Sequence, residues 1–149
     1  MELYDGPLNA EEILSRWYKT AAERSYGAYI PFVGIVRDDD GIEALSFDIY
    51  KPLLKRWFDK WQKRAAERGA VVLMAHSVGD VAVGRSSYIS AVLSPHRREA
   101  LELIDEFVED FKANAPIWKY DIRNGERIYA GERSTPMDGA GILSYKGEG

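Results

Sequence analysis

Apolar residues recur three and four positions apart at Ile13, Leu14, Trp17 and Ala21, and Asn9 stands three residues before Glu12. The first pattern belongs to a helix with one buried stripe, and the second resembles a capping box, in which a side-chain oxygen takes up a free amide at the helix start. A helix is therefore expected from Asn9 to about Arg24. Residues 27–37 read as a strand, and Pro31 within it removes one ladder donor, which points to an edge position or a bulge. The run Asp38, Asp39, Asp40, Gly41 is a loop. Leu45, Phe47 and Ile49 then alternate with Ala44, Ser46 and Asp48, the period-two pattern of a strand with one buried face. Pro52 opens a second helix whose stripe is Leu53, Leu54, Trp57, Phe58, Trp61 and Ala65, and Gly69 supplies its left-handed stop. Two strands are expected at about 70–76 and 86–93, separated by a turn-rich stretch containing Gly79 and Gly84.

Ser94 followed by Pro95 reads as a helix start, with Ser as the cap and Pro at the first helical position. This helix should stop before Pro116, with Leu101, Ile104, Val108 and Phe111 as its core face and Lys112 continuing the same stripe. Residues 118–123 and 126–131 flank Asn124 and Gly125, a dipeptide suited to the positive φ angles of a tight hairpin. Alternation places Trp118 and Lys119 on opposite faces of that hairpin. With Trp118 in the core, Lys119 points outward, toward solvent or a cleft formed with another chain. Residues 134–149 are rich in Gly, Ser and small residues and read as a flexible tail or an arm ordered by a partner. No repeat or interdomain linker divides the sequence, so one domain over 1–149 is expected. Its element order fits a two-layer α+β class, a mostly antiparallel sheet covered by helices with a hairpin near the C-terminus.

Composition narrows the chemistry. Four Trp, nine Tyr and five Phe among 149 residues belong to a chain that buries a core. A net charge of −4 argues against a surface built to hold nucleic acid, so any anion site must be local. There is no Cys. Disulfides, thiolate metal clusters and sulfur carried on the protein's own thiol are thereby excluded. With two His in addition, neither a zinc site nor a resident cofactor is expected. No apolar run approaches the roughly 18 residues of a membrane span, and the N-terminus lacks the features of a signal peptide. A soluble cytoplasmic protein is the expectation.

Several cations fall at expected element ends: Arg37 after a strand, His96 and Arg97 at a helix start, Arg133 after the hairpin, and Lys112 and Lys119 on either side of Pro116. A helix N-terminus beside His96 and Arg97 offers free amides and a positive dipole end to a phosphate or carboxylate. The stripe position of Lys112 suggests a packed stem and a partly desolvated ammonium, suited to proton transfer, but spacing alone favours the plainer reading of a Lys that reaches to solvent from the end of an apolar face. His76, inside a strand, reads as a structural histidine. Ser94 is a cap and not a nucleophile, because no acidic partner or nucleophile-elbow motif accompanies it and His96.

The ordered motifs Phe32-Val33-Gly34-Ile35-Val36-Arg37, Ser94-Pro95-His96-Arg97, and Phe111-Lys112 before Ala115-Pro116-Ile117-Trp118-Lys119 resemble those of the molybdopterin synthase large-subunit family. The resemblance implies an α/β hammerhead fold, a homodimer of large subunits, and two small ubiquitin-like subunits docked at its ends to form a heterotetramer. It further implies conversion of cyclic pyranopterin monophosphate to molybdopterin, with the dithiolene sulfurs delivered by the Gly-Gly thiocarboxylate of the small subunit. A sulfur-transfer protein without Cys needs its sulfur delivered already activated. By motif position, Lys119 and Lys112 would flank the thiocarboxylate and assist proton transfer and attack, while Arg37, His96, Arg97 and Arg133 would hold the substrate phosphate and pterin, Arg133 acting on the neighbouring subunit's site. Two departures remove a cation each: His76-Ser77 stands where the family often has His-Arg, and Tyr120-Asp121 follows Lys119 in place of Lys-Glu. A non-enzymatic relative that keeps the dimer and binds a partner or an anion is the competing reading.

Overall fold

The computed structural model describes residues 1–130; Arg133 and the segment 134–149 lie outside the described residues. In chain order the elements are β1 (Glu2–Asp5), α1 (Ala10–Glu23), β2 (Ala28–Ile35), β3 (Ala44–Ile49), α2 (Lys51–Glu67), β4 (Val71–Ala82), β5 (Ser86–Ser94), α3 (Arg97–Asn114), β6 (Ile117–Arg123) and β7 (Glu126–Tyr129). The strands form one sheet in the order β2-β5-β4-β3-β6-β7. Every pairing along that path is antiparallel, and β1 adds a short parallel pairing to β4.

β4 holds this sheet together. Residues 71–76 pair with β5 along one side, while the other side is taken first by β1 at 75–78 and then by β3 at 79–82. The turn expected between 77 and 85 therefore narrows to three residues after Ala82. Gly79 remains inside the strand at φ +83°, where the partner changes from β1 to β3. A strand with a fresh partner on offer keeps its backbone groups paired by continuing, and that outweighs the local turn tendency of Gly79.

The α+β class, the mostly antiparallel sheet and the closing hairpin are as expected, but the helices divide between both sheet faces. Ile13, Trp17 and Ala21 of α1 pack on Ala75, Ile89, Ala91 and Leu93. Leu54, Trp57, Phe58 and Trp61 of α2, with Leu103 and Phe107 of α3, pack on Val72, Met74, Tyr88 and Val92. Alternating residues of β5 thus enter two different cores, and all of its residues are buried. Pro31 sits on β2, an edge strand, with a register irregularity between Gly34 and Ile35.

The start and face of the third helix differ from the sequence reading. α3 begins at Arg97 with His96 as its N-cap, and the Ser94 hydroxyl accepts from the His96 amide at 3.3 Å without itself capping the helix. Its fully buried face is Ala100, Leu103 and Phe107, whereas Leu101 is 54% exposed. Both stripes have helical spacing, and docking on β5 and β2 selects the one led by the small Ala100. Lys112 is consequently exposed, in line with the plainer reading of a Lys that reaches to solvent. Between α2 and α3, the Trp57 and Trp61 indoles both donate to Asp110 Oδ2, at 2.9 and 2.7 Å. Asn124 (φ 51°) and Gly125 (φ 77°) form the two-residue β6–β7 turn that their types predict.

Candidate functional site

α3 ends at Asn114, Ala115 is extended, and the sheet runs on past it through β3 and β6. Where the helix stops, the sheet face opens into a cavity of about 240 Å³ lined by Phe32, Phe47, His76, Tyr88, Val108, Phe111, Lys112, Ala115, Ile117 and Lys119. Lys119 lies opposite Phe47 in the β6–β3 register, and directly opposed residues share a face, so its side chain projects on the side that α2 and α3 cover. Trp118, opposite Asp48, faces the other way and is buried there. The direction expected for Lys119, away from the core toward solvent or a cleft with another chain, is therefore corrected: it takes the helix-covered face and lines a cavity of its own chain, which stays open because α3 stops short of it. Lys119 is half-buried and Lys112 exposed at the same cavity.

The cavity wall is aromatic and rigid. Tyr88 and Phe111 stack with centroids 4.0 Å apart and planes within 8°. Gly34 makes room for this pair, since a Cβ there would come within 3.3 Å of Tyr88 Cβ. His76 stands among them, edge-on to Phe47 at 4.9 Å and 5.7 Å from Phe111. It is 2% exposed, and Nδ1 lies 2.7 Å from the Ser77 carbonyl oxygen. A carbonyl only accepts, so Nδ1 carries the hydrogen. Burial pulls the ring's pKa down to about 4, against a smaller opposing effect of the Ser77 hydrogen bond, and the imidazole is neutral at pH 7. The structural reading of His76 holds for Nδ1, but it missed the ring's place in the cavity wall. The signal was the pairing of His76 with Tyr88 across β4 and β5, which a single strand pattern does not reveal.

His96 and Arg97 line a different hollow of about 340 Å³, together with Arg98, Leu101 and Glu102. His96 and Arg97 are both exposed at the start of α3. Arg98 lies 3.6 Å from Glu102, which also pairs with Arg68. Arg37, beyond β2, has 81% of its side chain exposed and pairs with Asp39 at 3.0 Å; it lines neither cavity. The six cations singled out in the sequence therefore separate. Lys112 joins Lys119, His96 joins Arg97, Arg37 stands apart, and Arg133 lies outside the described residues. Among the described residues no cluster of three or more His, Asp or Glu is placed to hold a metal ion, and no helix is long and apolar enough to cross a membrane.

With this geometry in hand, the chain can be set beside known proteins. The family model described as MoaE protein matches residues 3–114. The molybdopterin synthase catalytic subunit of Helicobacter pylori (strain ATCC 700392 / 26695) is 49% identical over 144 residues, covering 97% of this chain and 99% of that protein. That span includes residues 115–119, which the family model stops short of. The molybdopterin synthase catalytic subunit of Bacillus subtilis (strain 168) is 30% identical over 132 residues, 85% of this chain and 82% of its own length. Among solved structures, a chain of the protein–protein complex of subunits 1 and 2 of the molybdopterin-converting factor from Helicobacter pylori 26695 superposes with a TM-score of 0.90 at 49% identity, covering 96% of this chain and 98% of that one. The chain belongs to the MoaE family, that of the molybdopterin synthase catalytic subunits.

Proposed function

We propose that this chain is the catalytic, sulfur-accepting subunit of a cytoplasmic molybdopterin synthase. It converts cyclic pyranopterin monophosphate to molybdopterin, with both dithiolene sulfurs supplied by the thiocarboxylated C-terminus of a small ubiquitin-like subunit. The observation that carries this reading is the meeting of Lys112 and Lys119 at one aromatic-walled cavity in a chain of this family. The Helicobacter pylori relative, solved as a complex of two subunits, supports a two-component enzyme here as well. So does the absence of Cys, because the sulfur must then arrive on another protein.

A thiocarboxylate is an anion at neutral pH, and two ammonium groups fixed beside low-dielectric aromatic walls hold it more strongly than they would in water. Lys119, on a strand paired on both sides, is the better anchored of the two. It is assigned to the reacting sulfur, where it assists attack on the pterin and proton transfer. Lys112, exposed in the last turn of α3, is assigned to guiding the anion in at the mouth. His96, Arg97, Arg37 and Arg133 are assigned to the substrate's phosphate and pterin. Since the first three line a separate hollow or none in one protomer, the reading requires a homodimer in which each large subunit completes the other's site, within a heterotetramer. The domain is taken to span 1–149, with 134–149 as the segment that a partner orders.

The test is to mix the protein with a thiocarboxylated small subunit and cyclic pyranopterin monophosphate and measure molybdopterin. The wild type is expected to form it and Lys119→Ala to lose nearly all turnover. Undiminished turnover in that variant would remove Lys119 from the chemistry. No product from a wild type that binds the small subunit would leave a non-enzymatic relative.

A further inference from the structure

The cavity has one polar side chain that the proposed chemistry leaves idle. Lys112 and Lys119 are hydrogen-bond donors only. Tyr88 presents its ring, and its hydroxyl is shut inside the protein beside Ser90. His76 is different: Nδ1–H is engaged by the Ser77 carbonyl, and the neutral ring therefore holds a lone pair on Nε2. The ring lines the cavity, and the hydrogen bond it makes to the backbone engages Nδ1, not Nε2. The cavity thus combines two cationic donors with one neutral acceptor set between the rings of Phe47, Tyr88 and Phe111.

That combination matches one kind of occupant, an anionic acyl end preceded by an amide. The anion needs the ammonium donors, and the amide N–H needs an acceptor once it leaves water. A free phosphate or carboxylate would use the lysines and leave Nε2 unpaired. Neutrality is required as well, because a protonated ring would present an N–H to an N–H. The aromatic enclosure that depresses the pKa of His76 also keeps its acceptor available at pH 7.

We propose that His76 binds the carrier subunit's C-terminal tail, its Nε2 accepting a backbone N–H next to the thiocarboxylate while Lys112 and Lys119 hold the charged end. The inference rests on the reading of this cavity as the place where the carrier's acyl end docks. It adds a residue that reads the peptide instead of the charge, and so favours a peptide-borne anion over a small free one.

The experiment measures binding of the companion subunit of the Helicobacter pylori complex, at full length and shortened by its last two residues, to the wild type and to two variants. His76→Phe keeps a planar ring and removes the acceptor. His76→Gln restores an acceptor near the position of Nε2. His76→Phe is expected to weaken binding of the full-length carrier about tenfold, the worth of one desolvated hydrogen bond, and to leave binding of the shortened carrier unchanged. His76→Gln is expected to recover most of the loss, and thermal unfolding of both variants monitors the fold. An equal loss toward both carriers, or no loss toward either, overturns the role of His76 while leaving the docking reading in place. A wild type that binds both carriers equally overturns the docking reading itself, and the inference with it.

Discussion

The cavity at the end of α3 and the cationic hollow at its start differ in what surrounds their charges. At the C-terminal end, Lys119 is half-buried against stacked Tyr88 and Phe111, on a strand paired on both sides. At the N-terminal end, His96 and Arg97 are exposed on a helix turn, and Arg37 lies farther off in solvent. Charges beside low-dielectric walls interact several times more strongly than charges in water, and they pay little to be oriented. One end of α3 is thus built in advance by the monomer's own fold, while the other offers cations that gain strength only when something covers them.

Substitutions at the two ends should separate these cases. The largest effect is expected for Lys119→Ala, a loss of at least about a hundredfold in single-turnover molybdopterin formation, as for removal of one preorganised donor. Arg97→Ala should instead raise KM for cyclic pyranopterin monophosphate about tenfold with a smaller change in kcat, because it removes a charge-assisted contact to substrate. If Arg97→Ala lowers kcat as far as Lys119→Ala, the contrast between the two ends fails.

The scaffold behind the built end can be tested apart from catalysis. Asp110→Ala strips the acceptor from two indole N–H groups, on Trp57 and Trp61, which are 7% and 3% exposed. Denaturant unfolding should show a loss of about 3 kcal/mol. Acid sensitivity follows from two groups. His76 has a folded pKa of about 4 against 6.5, so the unfolded chain binds its proton first, and stability falls as pH drops from 6.5 to 4. Glu2, held down to about 2 chiefly by hydrogen bonding from Arg16, contributes stability above 4.5 that is lost as pH falls toward 2. His76→Gln should flatten the upper window and leave the lower one. The smallest effect is expected for Arg37→Ala, within about 0.5 kcal/mol in unfolding free energy, because its ion pair with Asp39 is solvent-screened.

Much of the frame was legible along the chain because its causes are local. Asn9 accepts from the Glu12 amide as its type and spacing predict. Pro52 sits in the first turn of α2, and Asn124-Gly125 makes the hairpin turn. What was not legible depended on a second segment. β1 is four residues long and acquires its ladder from β4, 73 residues away in sequence. α3 carries two stripes of equivalent spacing, and only the sheet beneath it decides that Ala100 is buried and Leu101 exposed. That same choice leaves Lys112 exposed at the cavity, in line with the plainer reading of a Lys that reaches to solvent from the end of an apolar face.

The sequence by itself determined the helices, the hairpin, the absence of a thiol and the motif run ending in Lys119, since each rests on neighbours within a few positions. Tertiary structure alone decided which side of the sheet Lys119 takes, that Phe47 lies opposite it, and that His76 stands in the same wall. Faces in a sheet are assigned by register, register is a property of paired strands, and no one strand carries the information about its partner.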